Sequence, residues 1–395
     1  MHALRRTLAV SSLSLVVACG ITFSPGDYSA PVDAAPAPGG DASTTIPDAS
    51  VTVTDGGSDA AVTGDGGPNV ALHVLLFSGT KEKDTDTNDV WIAPVDDNGT
   101  LGPLAYGPST PLVKPLQAAT ITGGKLLTVV QGPSSRVVQT ADFANGIRSP
   151  WATATVPNAP TSSYGSFFAK ASLVVVGGQT SEQVDDGTGT GNTVTVTTNH
   201  AELYVNKASG TSYPPPNNAA STTKLPAGVF APTVVLYKDF AFVWGPGDKA
   251  DQASKIYVGK VDETAGLASV TENASVAGTP PTSPIACAGE GRLFVTGGTD
   301  AAHTYTAEIN ETTGALGTWK TGPDLPAARS GAGCAVIKGW LYLFGGRASD
   351  KPGGQTALSA QILRSKIAAD GTMSEWETTA QTLISPRANV FALTY

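Results

Sequence analysis

The sequence predicts an all-β repeat protein, and three observations carry that expectation. The first is composition: 395 residues include 45 Gly and 28 Pro with only 14% charged residues, a turn-rich balance with little helical periodicity. The second is a hairpin pattern, clearest between Gly322 and Gly346 in GPDLPAARSGAGCAVIKGWLYLFGG. It reads as a strand from Gly331 to Ile337, a two-residue turn at Lys338-Gly339, and a strand from Trp340 to Phe344 ending in a glycine pair. WLYLF is apolar at every position, so both faces of its sheet must be covered. The third is the recurrence of this hairpin along the chain.

The chain opens with Arg5-Arg6, an apolar run from Leu8 to Val17, and Val16-Val17-Ala18-Cys19. That run is too short for a permanent membrane span and has the charged-then-apolar layout of a secretory leader, so residues 1–18 read as a signal peptide. Val16-Val17-Ala18-Cys19 resembles the lipobox of bacterial lipoproteins. The resemblance implies cleavage before Cys19 and its lipidation with palmitate-type chains, and Gly20 implies outer-membrane retention, facing the periplasm or the cell surface. Several acyl chains on one residue anchor firmly where one would be marginal. The alternative is an ordinary leader with Cys19 a passenger. Between Gly20 and Asn69 there is no Leu, Trp, Lys or Arg, so residues 19–69 read as a disordered tether unable to bury a core. A net charge of −9 leaves no basic excess for nucleic acid.

From Val70 to Tyr395 a glycine with an apolar residue five positions later marks each unit: Gly99 with Leu104, Gly146 with Trp151, Gly314 with Trp319 and Gly371 with Trp376. Gly210 and Gly266 hold the same place in degenerate copies, so six units are expected, at roughly the 50-residue period of propeller repeats plus insertions. The glycine suits a positive-φ turn, and the apolar residue anchors the outer strand on the neighbouring sheet. Each unit also holds an apolar strand ending in glycine, such as Val74 to Gly79 or Leu293 to Gly298, and a third strand such as Asn88 to Val95 or Thr304 to Ile309. Four antiparallel strands per unit, stacked radially, bury both faces of every sheet.

Arg329, Gly345-Gly346 and Trp376 together resemble the kelch motif, and Gly-x-x-x-x-Trp is similar to the turn of secreted bacterial kelch and galactose-oxidase-like propellers. The resemblance covers residues 70–395 and implies a six-bladed kelch-type β-propeller. It is specific in the last two units; earlier ones depart from it, with Gly132 alone, Pro246 after Gly245, and Pro215 where tryptophan would stand. The segment from Ser385 to Leu393 matches a first strand with no successor, and His73 to Gly79 matches a second strand with no first. The C-terminal strand is therefore expected to be innermost in blade one, paired near Val74.

In a propeller of this topology one face carries the connections after the second and fourth strands, and the family resemblance places ligands there. The long loops on it are Thr80 to Asp89, Gln179 to His200, Pro246 to Ser254 and Arg347 to Leu358, with Asp185 to Asn192 a passive insertion. Arg329 and Arg387 open first strands, each four residues after a leucine. The resemblance puts them near the channel mouth, where they either bind anionic groups or lock neighbouring blades; Arg347 is a third candidate. Asp84-Thr85-Asp86-Thr87-Asn88-Asp89 has alternating oxygen ligands as calcium loops do, with Asp84, Asp86 and Asp89 the metal candidates, but Asp89 stands where an EF-hand loop needs glycine and Val95 where it needs the bidentate glutamate, so a solvated acidic loop is expected.

His73, His200 and His303 make no zinc or copper spacing; His73 is expected to be half-buried and the others loop-exposed. Cys287 and Cys334 fall on the innermost strands of adjacent blades, and with those strands splaying around a channel they are expected to be free and buried. No catalytic constellation, metal or cofactor is read from the sequence. The functional expectation is a membrane-anchored, non-catalytic module binding a glycan or envelope protein; the alternative is a secreted propeller enzyme acting on a carbohydrate, by oxidase, lyase or epimerase chemistry.

Overall fold

The computed structural model describes residues 72–395 apart from 82–84, 112, 132–135, 145, 157–163, 186–192, 208–218, 230, 246–254, 274–283, 299–300 and 350–356, together with 16–17 and 20–21. Val16–Val17 pairs antiparallel with Gly20–Ile21. The rest of the leader, Cys19 and the expected tether lie outside the described residues. By its contacts the chain divides into Met1–Thr22 with Val70–Tyr395, and Phe23–Asn69.

The described residues form an all-β structure without helices, dominated by antiparallel four-stranded sheets in an arrangement consistent with a propeller. Sheet 1 runs Phe391–Thr394, His73–Thr80, Asp86–Pro94, Ala105–Gly107; sheet 2 runs Leu116–Thr122, Lys125–Gln131, Arg136–Phe143, Ile147–Val156. Sheet 3 begins Gly165–Ala169, Ser172–Val176, Thr193–Asn206, and its long third strand pairs with both Gln179–Asp185 and Ala219–Val229. Sheet 4 runs Thr233–Tyr237, Phe240–Gly245, Lys255–Asp262, Gly266–Asn273; sheet 5 runs Ile285–Gly289, Arg292–Thr296, Thr304–Glu308, Lys320–Thr321. Sheet 6 runs Gly333–Ile337, Trp340–Phe344, Gln361–Lys366, Glu377–Thr382. A small sheet of Ala328–Ser330, Arg347–Ser349 and Ala357–Leu358 occupies part of a segment expected to be loop.

The turn Lys338-Gly339 has positive φ at both residues, 44° and 77°, the primed geometry whose twist matches the flanking strands. Consecutive residues of each second strand then point to opposite neighbours. Leu341 and Leu343 pack against Ile285 and Phe294 of sheet 5, whereas Tyr342 and Phe344 pack with Val74, Leu76 and Trp91 of sheet 1. Leu75 and Phe77 turn the other way, onto Leu126 and Val130 of sheet 2. Similar apolar cores lie between sheets 2 and 3, 3 and 4, and 4 and 5. An apolar run such as WLYLF is thus needed because each sheet is sandwiched, and the hydrophobic stabilisation is spread over many inter-sheet layers.

The repeat glycines set how closely sheets approach. Gly314 sits at φ 74°, and a Cβ there would meet Phe240 Cδ1 of sheet 4 at 2.6 Å. The apolar residue five positions on then lands on the same neighbour: Trp319 meets Trp244 edge-on with centroids 5.9 Å apart. Leu104 packs into the core shared by sheets 6 and 1, and the Trp376 indole donates to Pro323 O at 3.1 Å.

The C-terminal segment pairs as the sequence implied, from Val74 opposite Thr394 to Phe77 opposite Phe391. Tyr395 extends it, exchanging backbone hydrogen bonds with His73 at 2.9 and 3.1 Å and meeting Phe143 of sheet 2 edge-on.

Candidate functional site

The two arginines with the strongest sequence case are built into the scaffold. Arg329 lies on Ala328–Ser330, ahead of the first strand rather than in it, and is 2% exposed. Nη1 donates to Gly345 O at 2.5 Å and Nη2 to Gln361 Oε1 at 2.9 Å, both in sheet 6 or its following turn. Its own carbonyl accepts from Gly298 N at 2.7 Å, at the end of sheet 5. Burial lowers its pKa to about 10, which leaves it protonated at neutral pH. Arg387 repeats the arrangement one sheet on. Its guanidinium lies 4.3 Å over the Trp91 ring and donates to Thr87 and Asp89 of sheet 1, while its carbonyl accepts from Gly346 N at 2.6 Å. Of the two roles read from the sequence, the geometry supports locking neighbouring sheets.

The glycine pair is part of that lock. At Gly345, φ is 67° and a Cβ would stand 2.5 Å from Arg387 O. Gly345→Ala is therefore expected to destabilise the chain by about 2–3 kcal/mol through left-handed strain and backbone clash. Urea denaturation would measure it, and a loss under about 0.5 kcal/mol, the range of neutral surface changes, would contradict the proposed fit.

Arg347 is half-buried in the small sheet, opposite Ser330 and Leu358. Asp86 accepts from Lys114 Nζ and Thr80 Oγ1, both at 3.3 Å, and Asp89 pairs with Arg387 and with Lys81 at 3.7 Å. Their carboxylates serve cationic side chains; Asp84 lies outside the described residues. Among the described residues no three His, Cys, Asp or Glu side chains converge as a metal site would require.

Two expectations need correction. Cys287 and Cys334 are joined by a disulfide with Cα atoms 5.9 Å apart. The splay expected between first strands does not hold Cys287 and Cys334 apart: at this level sheets 5 and 6 lie inside the roughly 7 Å limit for a bridge. His200 is not loop-exposed: it sits on Thr193–Asn206 with its side chain 23% exposed. The Gln179 to His200 stretch forms a two-stranded ribbon, from Gln179 opposite Asn199 to Asp185 opposite Thr193, because alternating Thr and Val favour a strand. Its 186–192 tip and the 246–254 loop lie outside the described residues.

At the ribbon root His200 Nε2 shares a hydrogen bond with Thr180 Oγ1 at 2.8 Å, and Nδ1 faces Glu202 Oε2 at 3.3 Å. Lys224 donates to Glu202 Oε1 at 2.9 Å, and that bond is the leading cause of a carboxyl pKa below the usual range. His73 stacks on Tyr395, and His303 is largely exposed beside Asp324.

Residues from the first strands of sheets 1 to 6 line a cavity of about 320 Å³. Among the described residues lining it none carries an ionisable side chain, the bridged Cys287 and Cys334 included. Sequence reasoning missed the polar cluster beside this wall. Arg136 is fully buried, its guanidinium 5.5 Å from the Tyr164 ring centroid, and burial moves the arginine down to about 10 and the tyrosine up to about 12. Gln117 hydrogen-bonds the Tyr164 side chain. The one available signal was a charge opening a strand, directly ahead of Val137 and Val138.

No protein-family model matches this chain, and no curated protein matches it either. Its chemistry rests on the geometry above.

Proposed function

We propose that the chain is a six-bladed kelch-type β-propeller, held at the bacterial outer membrane through lipidated Cys19 and the 19–69 tether, and that it is a non-catalytic module binding a glycan or an envelope protein. The blade count draws on five four-strand sheets and one five-strand sheet, and on an apolar core between the last and first sheets as well as between consecutive ones. The anchor draws on the basic, apolar and cysteine order of the leader. The observation that carries the non-catalytic reading is the cavity lined by the first strands: enzymes gather acids and bases with shifted pKa in such a place, and the described residues of this wall include none.

The alternative, an enzyme acting on carbohydrate, draws on one observation, the Thr180–His200–Glu202 hydrogen-bond chain. One set of measurements separates the two. The full chain is expected to partition with membranes and take up a palmitate analogue, both lost in Cys19→Ser, and to retain a glycan or envelope protein without turnover. Turnover of a bound sugar that His200→Ala abolishes would replace this reading with the enzyme.

A further inference from the structure

The root of the ribbon carries an inference that goes beyond binding at the loop face. Thr180 lies opposite Thr198, two residues before His200, so strand alternation puts Thr180 and His200 on one face. A connected line of side chains results. Thr180 Oγ1 and His200 Nε2 are 2.8 Å apart, His200 Nδ1 and Glu202 Oε2 are 3.3 Å apart, and Lys224 Nζ donates to the other Glu202 oxygen at 2.9 Å. Solvent reaches this line: the His200 and Glu202 side chains are 23% and 27% exposed, and Thr180 is half-buried.

The proton positions follow from the chemistry of the partners. Glu202, kept ionised by Lys224, can only accept, so His200 Nδ1 carries a proton. In the neutral ring Nε2 is then an acceptor, and the Thr180 hydroxyl donates to it. A hydroxyl aimed at a base that a third group orients is the arrangement of an activated nucleophile. We propose that Thr180 is the nucleophile of a covalent capture site for a small activated acyl ester, with His200 as general base and Glu202 as its orienting group. Thr180 Oγ1 bonds to the acyl carbon, the hydroxyl proton passes to His200 Nε2, and the bond to the leaving oxygen breaks. The leaving group takes that proton away, the imidazole returns to neutral, and Thr180 is left as an ester. These side chains place no donor for the developing oxyanion, so the ester must bring a good leaving group and the product is retained. One acyl group per chain is capture without turnover, which the binding reading accommodates.

Incubation of the full chain with p-nitrophenyl acetate tests this. Release of p-nitrophenolate is expected to stop near about one equivalent per chain, with one acetyl group mapped to Thr180 by peptide mass spectrometry. Thr180→Val should abolish that label, Thr180→Ser should keep it, and His200→Gln should slow it about a hundredfold, with thermal melts checked to show that the variants fold. No release, an acetyl group confined to lysines such as Lys224, or a Thr180 label formed at the same rate in His200→Gln would overturn the proposal. Release that runs past one equivalent and is lost in Thr180→Val would uphold the nucleophile and count instead against the non-catalytic reading.

Discussion

A chain ending at Ile384 is expected to lose its cooperative thermal transition. The deletion removes Phe391–Thr394 and so unpairs His73–Thr80 along the Val74–Phe77 ladder, leaving buried backbone groups and an open sheet edge. It takes Val390 out of the core between sheets 6 and 1, and Phe391, Leu393 and Tyr395 away from the core between sheets 1 and 2. It also strips Arg387 from Trp91 and Asp89, leaving the carboxylate without its buried cation, and removes the acceptor of Gly346 N. Together these losses are comparable with the roughly 5–15 kcal/mol that stabilises a whole domain. Circular dichroism melts and limited proteolysis read the result. A shortened chain melting within a few degrees of the full one would show that the C-terminal segment is dispensable.

Removing the bridge is the second large effect. Cys287 and Cys334 are 47 residues apart, and closing a loop of that length lowers the entropy of the unfolded chain by an amount worth about 4 kcal/mol at 25 °C in the loop-closure model. The Cys287→Ser, Cys334→Ser double variant is expected to lose up to about that much in urea denaturation, and reductant should shift the parent to the same midpoint. The effect should act on global unfolding, because the bridge joins first strands of adjacent sheets. A parent chain whose mass and midpoint ignore reductant would show that the thiols are free.

Much of the scaffold was legible because its signals are local. Lys338-Gly339 between two apolar runs specifies a hairpin within a dozen residues, and the glycine before Trp319 specifies its own turn. The pairing of the C-terminal segment with His73–Thr80 was legible for a different reason: an unmatched first strand and an unmatched second strand imply each other. What remained hidden depends on distances between residues far apart in sequence. Arg387 and Asp89 are separated by 298 positions, and nothing near either one announces that the arginine is spent on a carboxylate. The bridge depends on how closely two first strands approach, a property of the whole assembly. The ribbon from Gln179 was hidden by polarity, since its strand signal is β-branched alternation without the apolar face that marks buried strands. Arg136 and Tyr164 escaped because burial of a charge is decided by neighbours in another sheet.

Amide hydrogen exchange of Phe391–Thr394 tests the central claim most directly, because these residues can be protected only if the end of the chain is held in the sheet begun by His73–Thr80. Protection matching that of Lys125–Gln131 in the middle of sheet 2 is the expected result. Exchange within seconds, as in a frayed terminus, would contradict it.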